Sequence, residues 1–215
     1  MSQVATTNPA FEPVEAFNKL EQNGAALMPL RKAGLARFSE SDYPTLRDED
    51  WRFTNVKPIA ELPFRPTIDP LDRELGQEQL GNLIFGQLGT DRLVFVDGHF
   101  NAALSQIDDQ PSGVTVTHLS SGLAGLEREL GGLSGGDDDP FVALNDAFFT
   151  DGALIQIGDA QRLAKPVHLL FVTTAGGDGE ATHIRNWIAA GANSQGTIIE
   201  SHLSLGQAAS VTNVV

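Results

Sequence analysis

The 215-residue sequence contains no cysteine. Disulfides, thiolate nucleophiles, zinc ribbons and cysteine-ligated iron–sulfur clusters are therefore excluded within this chain. Basic residues are also scarce. Fourteen Lys and Arg stand against 28 Asp and Glu, a formal net charge of −14. A surface for nucleic acid or an anionic membrane needs clustered Lys and Arg, so both partner classes are disfavoured. No apolar run approaches the ~20 residues of a membrane span. The opening MSQVATTNPAFEPVEAF has neither a basic n-region nor an apolar h-region and does not read as a signal peptide. A soluble, cytoplasmic protein is the expectation.

What remains is ordinary for a globular chain. Hydrophobic residues make up 41% and there are 22 glycines, together about half of the sequence, which suffices for a core. Residues 1–10 look frayed. Val14, Phe17 and Leu20 start a helical period that Asn23 and Gly24 end. A second helix is expected over 25–38, with Pro29 in its first turn, so the two read as a helical hairpin. Residues 39–75 hold five prolines, yet also Tyr43, Trp51, Phe53 and Phe64, which implies an irregular but packed segment. A short helix is expected over 76–87 and strands over 92–96 and 114–118, the first closed by Asp97-Gly98. Ser120 and Ser121 could cap a helix running to Leu130. The loop GGLSGGDDDP precedes a helix over 141–149. Strands are expected over 154–157, 166–174, 182–189, 197–203 and 209–215, and Asp178-Gly179 reads as a tight turn. This spacing fits an antiparallel sheet or a solenoid, and periodicity does not decide between them. The chain stops at Val215 within an apparent strand, so a longer parent protein is expected.

Few side chains suggest chemistry. None of His99, His118, His168, His183 and His202 forms a metal-spacing pair. Alternation places His183 and Arg185 on an outward strand face, opposite Ile184 and Ile188, and His202 and Glu200 outward on another strand. His183, Glu200 and His202 could make a crude metal site, although solvated surface histidines are the stronger reading. Asp137, Asp138 and Asp139 are consecutive, unlike the alternating ligands of a calcium loop, and would repel a phosphate. Asp139 is better placed to cap the helix that begins at Pro140. In RDEDWRFT, Glu49, Trp51 and Arg52 suit either an interface or a structural junction, with Arg52 paired to a carboxylate. Asn145 and Asp146 have no nucleophile beside them and are expected to tie down the turn after their helix.

Four of these segments carry a resemblance. PTLRDEDWRFTNVKPI (44–59), RLVFVDGHFN (92–101), FVALNDAFFTDGALIQI (141–157) and PVHLLFV (166–172) resemble, in order, motifs of the SufB/SufD family of iron–sulfur cluster assembly proteins. TIIESHLS (197–204) and SVTNVV (210–215) are similar to its recurring strands. The resemblance runs from about residue 12 to the last residue, and the N-terminal helices look more like the SufD branch.

It implies an α+β fold: a helical, proline-rich region over 1–90, a mixed strand and helix lead-in over 91–150, and from 151 the first coils of a right-handed parallel β-helix, a β-solenoid, cut at residue 215. It also implies a non-catalytic scaffold that works with SufB-like and SufC-like partners, the latter an ATPase. The iron–sulfur cluster would be assembled by the complex, with no cofactor bound by this chain. The family's cluster-site residues and SufC-binding surface lie in regions beyond this sequence, so no catalytic, cofactor-binding or metal residue is carried over. Two other readings stay open: a solenoid or sandwich enzyme acting on carbohydrate, and an acidic interaction module.

Overall fold

A computed structural model describes residues 13–23, 25–62, 64–73, 75–81, 89–134, 139–177 and 179–215. Helix α1 spans Pro13–Asn23 and α2 spans Met28–Ser41, after a short 3-10 turn over Ala25–Leu27. Pro29 lies in the first turn of α2, where its missing N–H has no helical partner to lose. The two helices were expected to form a hairpin, but each leans on a third, α7, Pro140–Phe148. Ala16 and Leu20 of α1 meet Leu144, Ala147 and Phe148 of α7, with Leu35 and Phe38 of α2 against the same cluster. Gly34 lets α2 approach closely: a Cβ there would lie 2.7 Å from the Ala143 carbonyl oxygen and from the Asp146 Cβ.

Between these helices the chain forms α3 (Lys57–Ala60), β1 (Arg65–Pro66) and α4 (Gln77–Gly81). The helix expected over 76–87 is described only as far as Gly81; its remainder, like Gly24, residues 1–10, Asp137, Asp138 and Asp178, lies outside the described residues. Strand β2 (Asp91–Val96) turns back into β3 (His99–Phe100). Asp97 and Gly98 both take positive φ, 47° and 87°, as a two-residue hairpin of this hand requires. Strand β4 spans Val114–His118. The single helix expected to Leu130 is two, α5 (Leu119–Gly122) and α6 (Glu127–Ser134), separated by a turn in which Gly125 has φ 93°.

Six further strands follow: β5 (Ala153–Ile157), β6 (Val167–Thr173), β7 (Glu180–Ile184), β8 (Trp187–Ala190), β9 (Ile198–Ser204) and β10 (Ser210–Val214). They join three small sheets, ordered β1-β7-β10, β3-β2-β6-β9 and β4-β5-β8. The expected right-handed parallel β-helix beginning at residue 151 is corrected by this arrangement. Two of the sheets are mixed, since β3 runs antiparallel to β2 and β4 antiparallel to β5. Every sheet also includes at least one strand from before residue 151. Period-2 alternation reports which face of a strand is buried and says nothing about the strand beside it, so the sequence pattern could not reveal these partners.

The strand expected over 182–189 is likewise two strands in different sheets. Three bonds hold its break at Arg185-Asn186: Arg185 N–H donates to Asp151 O, Asn186 N–H donates to Val215 O, and Asn186 Oδ1 accepts from Ala153 N–H. The expected faces hold only in part: Ile184 is buried as expected, but His183 and Arg185 are buried too, and Ile188 is 48% exposed. Between the sheets lies the main core, with Leu93, Phe95, Val116, Ile155, Leu169, Phe171 and Ile184.

Candidate functional site

The densest polar site sits where α7 meets the β7–β8 corner, built from the FVALNDAFFTDG segment. Asp139 starts α7, its Oδ1 accepting from the N–H groups of Phe141 and Val142 at 2.7 and 3.3 Å. Helical spacing then carries Leu144, Ala147 and Phe148 toward α1 and α2, while Asn145 points at the strands and Asp146 sits between the β7–β8 corner and α2. Both have 0% exposure. Asn145 Nδ2 donates to the carbonyls of Ile184 and Asn213, at 2.8 and 3.1 Å, and its Oδ1 accepts from Arg185 Nε at 2.9 Å. Asp146 is paired with both Arg185 and Arg37. Arg31 approaches the same end of α7, donating to Ala147 O at 3.2 Å and lying 4.7 Å above the Phe149 ring. Burial pushes the Arg31 guanidinium down to about 10. Burial also lowers Arg185, against the opposing pull of Asp146. Cations suit this place because carbonyls at a helix C-terminus are partly negative.

The turn after α7 is as tightly determined. A Cβ on Gly152 would lie 1.8 Å from the Arg185 carbonyl oxygen, so only glycine permits this crossing. Asp151 accepts from Ser120 N–H, Ser120 Oγ and Gly152 N–H. It thereby caps α5, a role the sequence had suggested for Ser120 and Ser121. His118 joins them: its Nδ1 lies 3.1 Å from Asp151 and 2.9 Å from Ser120 Oγ, and its ring stacks on Phe100. The three residue types are those of a hydrolytic triad, but the arrangement is not. A base that activates serine must contact it through one ring nitrogen and the carboxylate through the other. Here both oxygens crowd Nδ1.

The other residues singled out in the sequence are scattered. His183 lies on β7, buried beside Asn213 and Phe148, with burial holding it down to about 4. Glu200 and His202 lie together on β9, in another sheet, 2.6 Å apart. The structure does not bring His183 to them, and among the described residues no three His, Asp or Glu gather as metal ligands. Buried His168 bonds Ser201, and burial lowers both His168 and His99. Trp51 packs on Phe141 at 5.2 Å, filling the junction as expected, but Arg52 lies over the 86%-exposed Phe53 ring and pairs with no carboxylate among the described residues. A cleft of about 600 Å³ next to Trp51 is lined by Asp48, Glu49, Asp50 and Asp139, a poor cradle for phosphate.

Asn145 and Asp146 do not tie down the turn with their side chains; they clamp α7 to strands 39 to 68 residues later. Sequence reasoning missed Arg185 as the centre of this clamp, because strict alternation placed it outward. Its one visible signal was an arginine between apolar strand residues.

Residues 15–169 match the family described as SufBD protein N-terminal region. This chain belongs to the SufBD family. Among its relatives, an iron–sulfur cluster assembly SufBD family protein of Synechocystis sp. is 31% identical over 168 residues, covering 74% of this chain and 35% of that protein. The iron–sulfur cluster assembly protein SufD of Escherichia coli is 26% identical over 190 residues, covering 87% of this chain and 42% of that protein. The chain thus spans well under half the length of the relatives it matches. The matched SufBD region contains both α7 and the Asp151-Gly152 turn, so the α7 side of the clamp lies inside the stretch that carries the family likeness.

Proposed function

We propose that this SufBD-family chain serves iron–sulfur cluster assembly as a non-catalytic scaffold element, working in the cytoplasm with a SufB-like protein and a SufC-like ATPase. The match to the family's N-terminal region over residues 15–169 carries this reading. Both relatives are named as iron–sulfur cluster assembly proteins, which supports it. The geometry is consistent with a scaffold: Asn145, Asp146, Asp151 and Arg185 direct their polar atoms to internal partners. The cluster is cargo of the complex. A chain without cysteine supplies it no thiolate. No helix among the described residues is long and apolar enough to cross a membrane.

The test is co-expression of the tagged chain with SufB-like and SufC-like proteins from its own source. Co-elution, together with faster cluster formation on the complex, is the expected result. Absence of both would overturn the proposal, as would turnover of a small substrate by the isolated chain.

A further inference from the structure

A small cavity of about 20 Å³ lies where β7 and β10 meet the start of α7. Phe64, Leu144 and Val211 make it mostly apolar, yet Tyr43, His183 and Asn213 line it as well. Space of roughly 10–15 Å³ suffices for one water molecule. This cavity therefore admits one water and excludes an organic ligand. Among the described residues no Asp, Glu, Lys or Arg lines it, so nothing there would balance a bound ion.

The hydrogen bonds around the cavity fix its donors and acceptors. Asn213 Nδ2 lies 2.8 Å from the Phe141 carbonyl oxygen and 3.3 Å from His183 Nδ1. Turned the other way, the amide would set its oxygen against that carbonyl, acceptor against acceptor. Nδ2 thus donates to both atoms, and His183 Nδ1 accepts. The ring is neutral, since burial at 5% exposure holds it down to about 4. A neutral ring that accepts at Nδ1 carries its proton on Nε2. That Nε2–H has no acceptor among the described residues, and Asn213 Oδ1 has no donor. The Tyr43 hydroxyl also bonds nothing among them. Burial, with Asp42 nearby, pushes it up to about 12, so it keeps its proton. A buried donor and a buried acceptor left unpaired are costly, and one water can satisfy both.

We propose that this cavity is a binding site for one ordered water, which accepts from His183 Nε2–H and donates to Asn213 Oδ1 and to the Tyr43 oxygen. The water joins three segments distant in sequence: the stretch that follows α2, β7 and β10. Asn145 already holds both strands through the carbonyls of Ile184 and Asn213. The water extends that clamp to Tyr43, which meets α2 and α7 through the rings of Phe38 and Phe141. This role is structural and independent of cluster assembly.

Imidazole nitrogen NMR and a high-resolution crystal structure of the 215-residue chain test this. At neutral pH His183 should show the Nε2–H tautomer, with cross-relaxation from Nε2–H to a bound water. Electron density should place one water about 2.7–3.2 Å from Nε2. His183→Leu removes the donor and should leave the cavity dry. Tyr43→Phe removes one of the three partners while keeping the ring. It should stay folded by circular dichroism and hold the water about tenfold more briefly in water relaxation dispersion, the worth of one hydrogen bond. The Nδ1–H tautomer, an Nε2–H bonded to a protein atom, or a wild-type cavity without density would overturn the proposal. So would an anion in the cavity, seen as an anomalous peak after bromide exchange, or an unchanged water residence in folded Tyr43→Phe.

Discussion

Replacing Asp146 by Asn isolates what the clamp contributes. The carboxylate is fully buried between Arg185, with 5% of its side chain exposed, and Arg37, with 28%. Asn keeps the shape and one acceptor but removes the charge. Breaking a buried pair from one side typically costs about 3–5 kcal/mol, because the remaining charge stays out of water. Two guanidinium groups lose their counter-ion here, so the upper half of that range is expected. Against a total stability of roughly 5–15 kcal/mol, this is a large fraction. With a urea slope of about 2 kcal/mol/M, the midpoint should fall by about 2 M. The companion variant Asp146→Asn/Arg185→Met removes the acid and its most buried base together. It should be less destabilised than the sum of the single variants, with a coupling of about 1–3 kcal/mol. Urea unfolding followed by Trp fluorescence measures all four corners of the cycle. A loss under about 1 kcal/mol for Asp146→Asn, or additive single variants, would refute the account of Asp146 as the counter-charge that keeps Arg185 buried.

Other expectations follow from single contacts. His183 is held down to about 4 by burial, below its ordinary 6.5, so the unfolded chain takes up the proton first as pH falls. Its contribution to stability is intact above 6.5 and is lost on acidification, reaching about 3 kcal/mol near pH 4. Thermal melts of wild type and His183→Gln from pH 7.5 to 4.5 should converge toward the acid end, and parallel curves would count against this. Gly34→Ala improves helix propensity by about 1 kcal/mol. The new Cβ nevertheless meets α7 at 2.7 Å, and a net loss of about 1–3 kcal/mol is expected in urea; a stabilised variant would show that α2 and α7 can part freely. Asp139→Ala should lose about 1 kcal/mol by removing the α7 cap, while Asp139→Asn stays near wild type. Equal losses for the two would exclude capping as the reason.

Local structure was legible wherever a short-range rule governs it. The periods of α1, α2 and α7, the proline in the first turn of α2, the Asp139 cap and the Asp97-Gly98 hairpin all follow from neighbouring residues. The helix expected to Leu130 was misread because Ser120 looked like a cap. Its N–H is in fact held by Asp151, 31 residues later, and Gly125 turns the chain midway. The strand over 182–189 was misread because its bend at Arg185 depends on bonds to Asp151 and Val215.

The sequence by itself determined the family, through ordered motifs that span most of the chain, and, through composition, that these 215 residues carry no thiolate. Only the tertiary structure decided which strands share a sheet, that β7 is buried on both faces, and that Asn145, Asp146 and Arg185 form one clamp. The physical reason is range. Caps, turns and periods are set by residues a few positions apart, while strand partners and buried ion pairs are set by whichever distant segments can satisfy one another's hydrogen bonds and charges in the folded chain.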